Sequence, residues 1–279
     1  MIDDLNSLTG KIYTLIQDAG IYAKSMRKQI YKNGFLPFDL DELLVNTETF
    51  AIQEDFCMSD FICDKLQKIS SLPIVSEENI PKLTGDTFWC VDPLDGTYCF
   101  SHNTGSYAIL ISLIYHGRPI LGLAHYPEEN ITYMGTKTNP SCIIIGKKKH
   151  RLIYNQQKTG SLCGVISNAT PEPAPIIKYL NDIGISDFVK VTGCPNPALI
   201  LSGKGDIMPL FHRQYEWDTA AYDAILRYSN SAHRPCFFDI YGQVLKYGKY
   251  NKAHPFENPK LLVTPNEMLK LAISNKLQR

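Results

Sequence analysis

The stretch Trp89-Cys90-Val91-Asp92-Pro93-Leu94-Asp95-Gly96-Thr97 places two carboxylates three residues apart at the end of an apolar run, with a proline between them. Proline fixes its own φ and biases the residue before it toward an extended backbone, so Asp92 is held out from the chain. Gly96 allows backbone amides to come close to an anion. Such a corner suits a hard divalent cation and a phosphate together, because Mg²⁺ takes oxygen ligands from a few carboxylates and completes its shell with water and phosphate oxygens. Asp92, Asp95 and the Leu94 carbonyl meet that demand. A helix starting near Gly96-Thr97 would aim its unpaired amides at the same anion. The plainer reading of these residues is an Asp-Pro turn followed by an Asp-Gly corner.

Two other acidic segments keep it company. Ser76-Glu77-Glu78 follows a short apolar stretch, and Glu216-Trp217-Asp218-Thr219-Ala220-Ala221 opens a helix. Taken singly, Glu77 reads as a solvated loop acid and Asp218 as an N-cap. Other phosphatase chemistries lack their residues. There is no Asp-x-Asp-x-Thr, no cysteine heads a Cys-x5-Arg loop, and neither Gly-x-Ser-x-Gly nor Gly-Lys-Ser/Thr occurs. Water activated by a metal is the chemistry that remains.

These residues need elements to position them. Leu5, Leu8, Ile12, Leu15, Ile16 and Ala19 carry helical spacing, as do Phe56, Phe61, Ile62, Leu66 and Ile69 within a helix expected over 55–69. Apolar strands at 72–75 and 88–91 each run into acids, which predicts a shared rim. From 106 to 146 the pattern is an antiparallel meander, with strands at 106–115, 120–126, 131–135 and 141–146. The run Lys147-Lys148-Lys149-His150-Arg151 reads as a solvated turn. It is also the expected boundary between an α+β part at 1–147 and an α/β part at 148–279. In the second part, strands at 164–167, 188–191, 206–211 and 235–240 alternate with helices near 174–182, 196–203 and 217–228, before a strand at 261–264 and a helix at 265–276.

Composition narrows the partners. The 279 residues hold 28 Lys+Arg against 28 Asp+Glu, a balance that offers no general field for a nucleic-acid polymer. A phosphate-bearing partner must therefore be a small molecule held by a local site. Eight cysteines without a CxxC pair suit buried thiols in a reducing cytosol. The acidic start and short apolar runs predict neither a secretory signal nor a transmembrane segment, and a cytoplasmic location, free or peripheral on the inner membrane, is expected.

Residues 89–102 (WCVDPLDGTYCFSH) and 217–221 (WDTAA) resemble the two signatures of the inositol monophosphatase family, Mg²⁺-dependent, lithium-sensitive phosphomonoesterases. Within it, PIVSEEN, FWCVDPLDGT, HGRPILGLAHYP and EWDTAAYDAI are most similar, in order, to the bacterial 3'(2'),5'-bisphosphate nucleotidases. The likeness runs from about residue 45 to 264. It implies a layered αβαβα sandwich of the sugar-phosphatase type, and two or three Mg²⁺ ions held by Glu77, Asp92, the Leu94 carbonyl, Asp95 and Asp218. It also implies a substrate phosphate held among Glu77, Leu94, Asp95, Gly96, Thr97 and Asp218, with Thr97 orienting the water. Gly193-Cys194-Pro195-Asn196 falls where the family lines its sugar and base pocket. Members are monomers or homodimers.

Some positions depart from the pattern. The nucleotidases carry a water-activating Asp where Thr47 stands here, which leaves Glu48 as a candidate catalytic residue, while Asp55 matches their second Asp. Tyr98-Cys99 replaces a Lys-Glu pair, Asn168-Ala169-Thr170 departs from a Ser-His motif, and Tyr222 takes the place of a small residue. Three readings follow: a nucleotidase removing the 3'-phosphate of adenosine 3',5'-bisphosphate, a phosphatase of inositol or another sugar phosphate, and a homologue that binds phosphate without turnover.

Overall fold

Alternation along the chain builds a sheet with two different apolar faces. Strands β1 (Ile74–Ser76), β2 (Thr87–Asp95), β3 (Ala108–Tyr115), β4 (Arg118–Tyr126), β5 (Ile131–Thr136), β6 (Asn139–Ile145) and β7 (Lys148–Arg151) lie side by side in chain order. β1 and β2 are parallel and every other neighbouring pair is antiparallel. Trp89, Val91, Ile109, Ile111 and Leu113 face one way, onto the apolar stripes of helices α1 (Leu5–Lys32) and α2 (Gln53–Ile69). Phe88, Cys90, Ala108, Leu110 and Ile114 face the other way. In this computed structural model the described residues are 4–32, 53–83, 85–103, 106–153, 161–167, 173–191, 196–229, 234, 236–248 and 255–265.

The second face is covered by α5 (Glu216–Arg227), which lies against β3, β4 and β5. Its approach is close because Gly122 and Gly135 have no side chains. A Cβ on Gly122 would stand 2.4 Å from the Ala221 carbonyl oxygen, and one on Gly135 would stand 2.6 Å from that of Ala224. Beyond α5 lie β8 (Cys163–Ser167), α4 (Pro173–Asp182), β9 (Asp187–Val191), β10 (Met208–Leu210), β11 (Phe237–Asp239) and β12 (Leu261–Val263). β8 and β9 are parallel, β12 is antiparallel between β10 and β11, and the Val165 amide donating to the Ile207 carbonyl at 2.8 Å links the two groups. Helices, sheet, helix, sheet and helix give the αβαβα order.

Four expectations change. Lys147 belongs to a two-residue turn with Gly146, but Lys148–Arg151 forms an edge strand on β6. A strand of exposed cations is a common protection for a sheet edge. Phe56 lies 51% exposed on α2, and Met58 and Ser59 fill the buried face in its stead. Residues 197–202 form a 3-10 turn, not an α-helix, since Asn196 Oδ1 caps the Ala198 amide at 3.0 Å and Gly203 ends the turn at φ 74°. The second-part strands are also shorter than expected, β10 and β11 spanning three residues each. The helix expected at 265–276 lies outside the described residues.

Candidate active site

The acids gather where β1 and β2 end together. Their parallel register pairs Ser76 with Val91, so the next residues along, Glu77 and Asp92, are neighbours. The Glu77 amide donates to the Val91 carbonyl at 3.2 Å, and reciprocal bonds between Ser76 and Asn79 close a tight turn around Glu77-Glu78. Alternation puts Asp92 on the same face as Phe88 and Cys90, toward α5. The register of β2 against β3 then slips between Asp92 and Asp95, a bulge at Pro93-Leu94 of the kind that re-aims side chains. Asp92 Oδ1 accepts from the Leu94 amide at 3.0 Å. Gly96 follows at φ 90°, where a side chain would be strained, and starts the six-residue helix α3 (Thr97–His102).

Asp218 arrives from the opposite layer, in the first turn of α5. Its Oδ2 accepts from the amide of Tyr215, the N-cap residue, at 2.6 Å, a capping contact made from the third helical position, and its charge lies close enough to Glu77 and Asp92 to act on both. Burial, followed by the charges of Glu77, Asp95 and Asp218, pushes Asp92 well above the carboxylate range. Burial, then Asp218, Glu78, Asp55 and Asp95, pushes Glu77 up to about 9. Asp218 is raised to about 6 by burial, against the opposing effect of the bond it accepts from the Tyr215 amide. Clustered like charges in a poorly solvated rim hold protons for this reason.

Thr97 sits between two acceptors, its Oγ1 3.0 Å from Asp55 Oδ1 and 3.1 Å from the Leu94 carbonyl oxygen. Asp55 is buried in the first turn of α2, which is tied to β1 through Ser59 Oγ and Ser76 Oγ at 3.0 Å. The role of Asp55 was not assigned by sequence reasoning, which looked to Glu48 for the catalytic acid. A signal existed: Asp55 stands one turn before Ser59 and two before Ile62 on the buried stripe of α2, where a charged residue needs a partner. Glu48 and Thr47 lie outside the described residues, as do 168–170 and 193–195. Tyr222, where the family signature has a small residue, faces the core. It is fully buried, with its hydroxyl 2.5 Å from that of Tyr126.

All the donors here are oxygens, and their mutual repulsion would be relieved by a cation, so the set fits a hard divalent ion. Among the described residues no group of three or more Asp, Glu, His or Cys is already arranged to hold a metal, so gathering these acids around one requires side-chain rotation.

A sequence model of the inositol monophosphatase family matches residues 17–261. The chain belongs to the inositol monophosphatase family. The 3'(2'),5'-bisphosphate nucleotidase CysQ of Shigella flexneri is 29% identical over 202 residues, 71% of this chain and 79% of that protein. The crystal structure of CysQ from Bacteroides thetaiotaomicron has the same fold, with a TM-score of 0.72 at 22% identity over 93% of this chain and 97% of that one. Inositol monophosphatase II from Staphylococcus aureus MSSA476 shares it too, with a TM-score of 0.69 at 23% identity over 97% and 93%. The chain is a phosphatase of this family, similar to the bisphosphate nucleotidases. Among the described residues no helix is long and apolar enough to cross a membrane, and the seven described cysteines are free thiols.

Proposed function

We propose that the protein hydrolyses the 3'-phosphate of adenosine 3',5'-bisphosphate, giving AMP and phosphate, with Mg²⁺ as its metal. The observation that carries the reading is that the register of β1 on β2 sets Glu77 beside Asp92 while Asp218, from the first turn of α5, is near enough for its charge to act on both, three acids from three separate segments on one rim. Glu77, Asp92, the Leu94 carbonyl, Asp95 and Asp218 would hold the ions, which supply charge neutralisation on the phosphoryl oxygens and a lowered pKa for bound water. Asp92, whose Oδ1 already accepts from Leu94, keeps the β2 corner in shape. Gly96 and Thr97 contact the phosphate. Thr97 orients the attacking water: its Oγ1 takes a proton from water while giving its own to Asp55, across the 3.0 Å contact. The leaving ribose oxygen takes its proton from solvent.

The nucleotidase substrate is supported by the Shigella flexneri relative. Tyr98-Cys99, where nucleotidases read Lys-Glu, favours a second reading in which the phosphate ester is that of inositol or another sugar. In either reading residues 1–147 carry the metal motifs, residues 148–279 carry Asp218 and the substrate side, and the enzyme works in the cytoplasm as a monomer or homodimer. The experiment is phosphate release from adenosine 3',5'-bisphosphate and from inositol monophosphate with Mg²⁺, with and without lithium. Lithium-sensitive release from the nucleotide supports the proposal, and preference for the inositol ester replaces it with the second reading. Release from neither substrate, with Mg²⁺ still raising the melting temperature, means a phosphate-binding homologue without turnover.

A further inference from the structure

The helix that begins at Thr97 is too short to hold its own place. Six residues fall below the length at which a helix persists unaided, and the carbonyls of its last turn have no partners further along the helix. Those carbonyls are met from α1. Arg27 donates from Nε to the Phe100 oxygen at 3.1 Å and from Nη2 to the Cys99 oxygen at 3.1 Å. One turn later, Tyr31 donates its hydroxyl to the Phe100 and Ser101 oxygens, at 3.2 and 2.9 Å.

Arg27 is buried, at 7% exposure, and each of its three guanidinium nitrogens donates a hydrogen bond. Nη1 donates to Glu128 Oε1 at 2.8 Å, and the same carboxylate accepts from the Tyr107 hydroxyl at 3.3 Å. The guanidinium carbon stands 5.8 Å from the Phe100 ring centre and 5.2 Å from that of Tyr107, and the two rings meet edge to face at 4.9 Å. Burial alone does not call for an arginine. The position continues the stripe of Ala23 and Met26, where an apolar residue would bury at lower desolvation cost. What arginine adds is a rigid fork that reaches two carbonyls and a carboxylate at once, and lysine, a single point charge, cannot reproduce it.

We infer that Arg27 is a positioning residue for the phosphatase centre, holding the far end of α3 so that Gly96 and Thr97 stay in place at the near end. The inference rests on the reading of Thr97 proposed above. Thr97 has little room for error, because Asp55 and the Leu94 carbonyl are 3.0 and 3.1 Å away and a shift of about 1 Å takes its hydroxyl out of hydrogen-bond range. Misplacement on that scale lowers catalysis by about 100-fold.

The test compares full-length wild type with Arg27→Lys and Arg27→Ala, using Mg²⁺-dependent phosphate release and hydrogen exchange of the peptide spanning 96–102. In both variants kcat should fall about 10- to 100-fold with KM within about threefold, and amides at 96–102 should exchange faster than in wild type while those of β3 and α5 keep their wild-type rates. Ethylguanidinium added to Arg27→Ala should restore part of kcat and slow that exchange, whereas a merely structural arginine would give no recovery confined to this helix. Arg27→Lys, which retains a charge for Glu128, keeps the test open should Arg27→Ala fail to fold. Variants that keep kcat within twofold overturn the inference, as does exchange at 96–102 no faster than in wild type. A wild type inactive on every phosphomonoester overturns the reading of the site, and the exchange arm then decides the anchoring by itself.

Discussion

Glu77→Gln should make the metal-free protein more stable at pH 7.5 while abolishing its phosphatase activity. Burial and the surrounding acids raise Glu77 from an ordinary 4.5 to about 9, so the folded protein keeps a proton that the unfolded chain releases. For a carboxyl group raised in the folded state, destabilisation is absent below pH 4.5, grows as pH climbs, and is complete above about pH 9. At pH 7.5 the gap from the unfolded value is three pH units, and at about 1.36 kcal/mol per unit the ceiling is ~4 kcal/mol. Solvent at the rim and shared protons reduce this, and ~2 kcal/mol is the expected gain. For a chain of this size that raises the melting temperature by about 4–8 °C. Thermal unfolding of both proteins in EDTA at pH 4.5 and pH 7.5 is the assay, with Mg²⁺ added in parallel to show that wild type gains more from the cation than the variant. Equal melting temperatures at pH 7.5, or a gain equally large at pH 4.5, would refute the reasoning, because the effect would then not come from the held proton.

Asp95→Asn should lose phosphate release while keeping its denaturation midpoint within about 1 kcal/mol of wild type, since a neutral isostere removes charge and not shape; near-normal turnover would remove Asp95 from the site. Thr97→Val should lower kcat by about 100- to 10,000-fold and Thr97→Ser should retain most of it, measured at saturating Mg²⁺, because only the hydroxyl links the water to Asp55. Gly122→Ala should destabilise by about 3 kcal/mol in urea unfolding, as its new Cβ would lie 2.4 Å from the Ala221 carbonyl oxygen and push α5 from the sheet.

The acidic motifs were legible in one dimension because each obeys a local rule. A strand end followed by Asp-Pro, a helix start carrying Asp at its third position, and Glu-Glu after a β-strand are patterns of adjacent residues. Alternation also exposed the meander of β3 to β6, since one-residue slips would turn its apolar faces outward. Less visible were Asp55 and Arg27. Each is a charged residue on an otherwise buried helical stripe, and such a position announces that a partner exists without naming it. The edge strand β7 was hidden by its composition, because cations suit a solvated turn and an exposed edge equally well.

Residue order by itself determined the chemistry on offer: hard oxygen donors, a bulge-forming proline, a glycine able to take a positive φ, and two stretches that resemble the signatures of the inositol monophosphatase family. Tertiary structure alone decided which of those donors meet. The parallel register of β1 on β2 makes Glu77 and Asp92 neighbours. The bare backbones of Gly122 and Gly135 let α5 settle close enough to bring Asp218 to Asp92. Strand register and helix approach are set by packing between segments distant in the chain, and no local pattern of residue types encodes the partner across that distance.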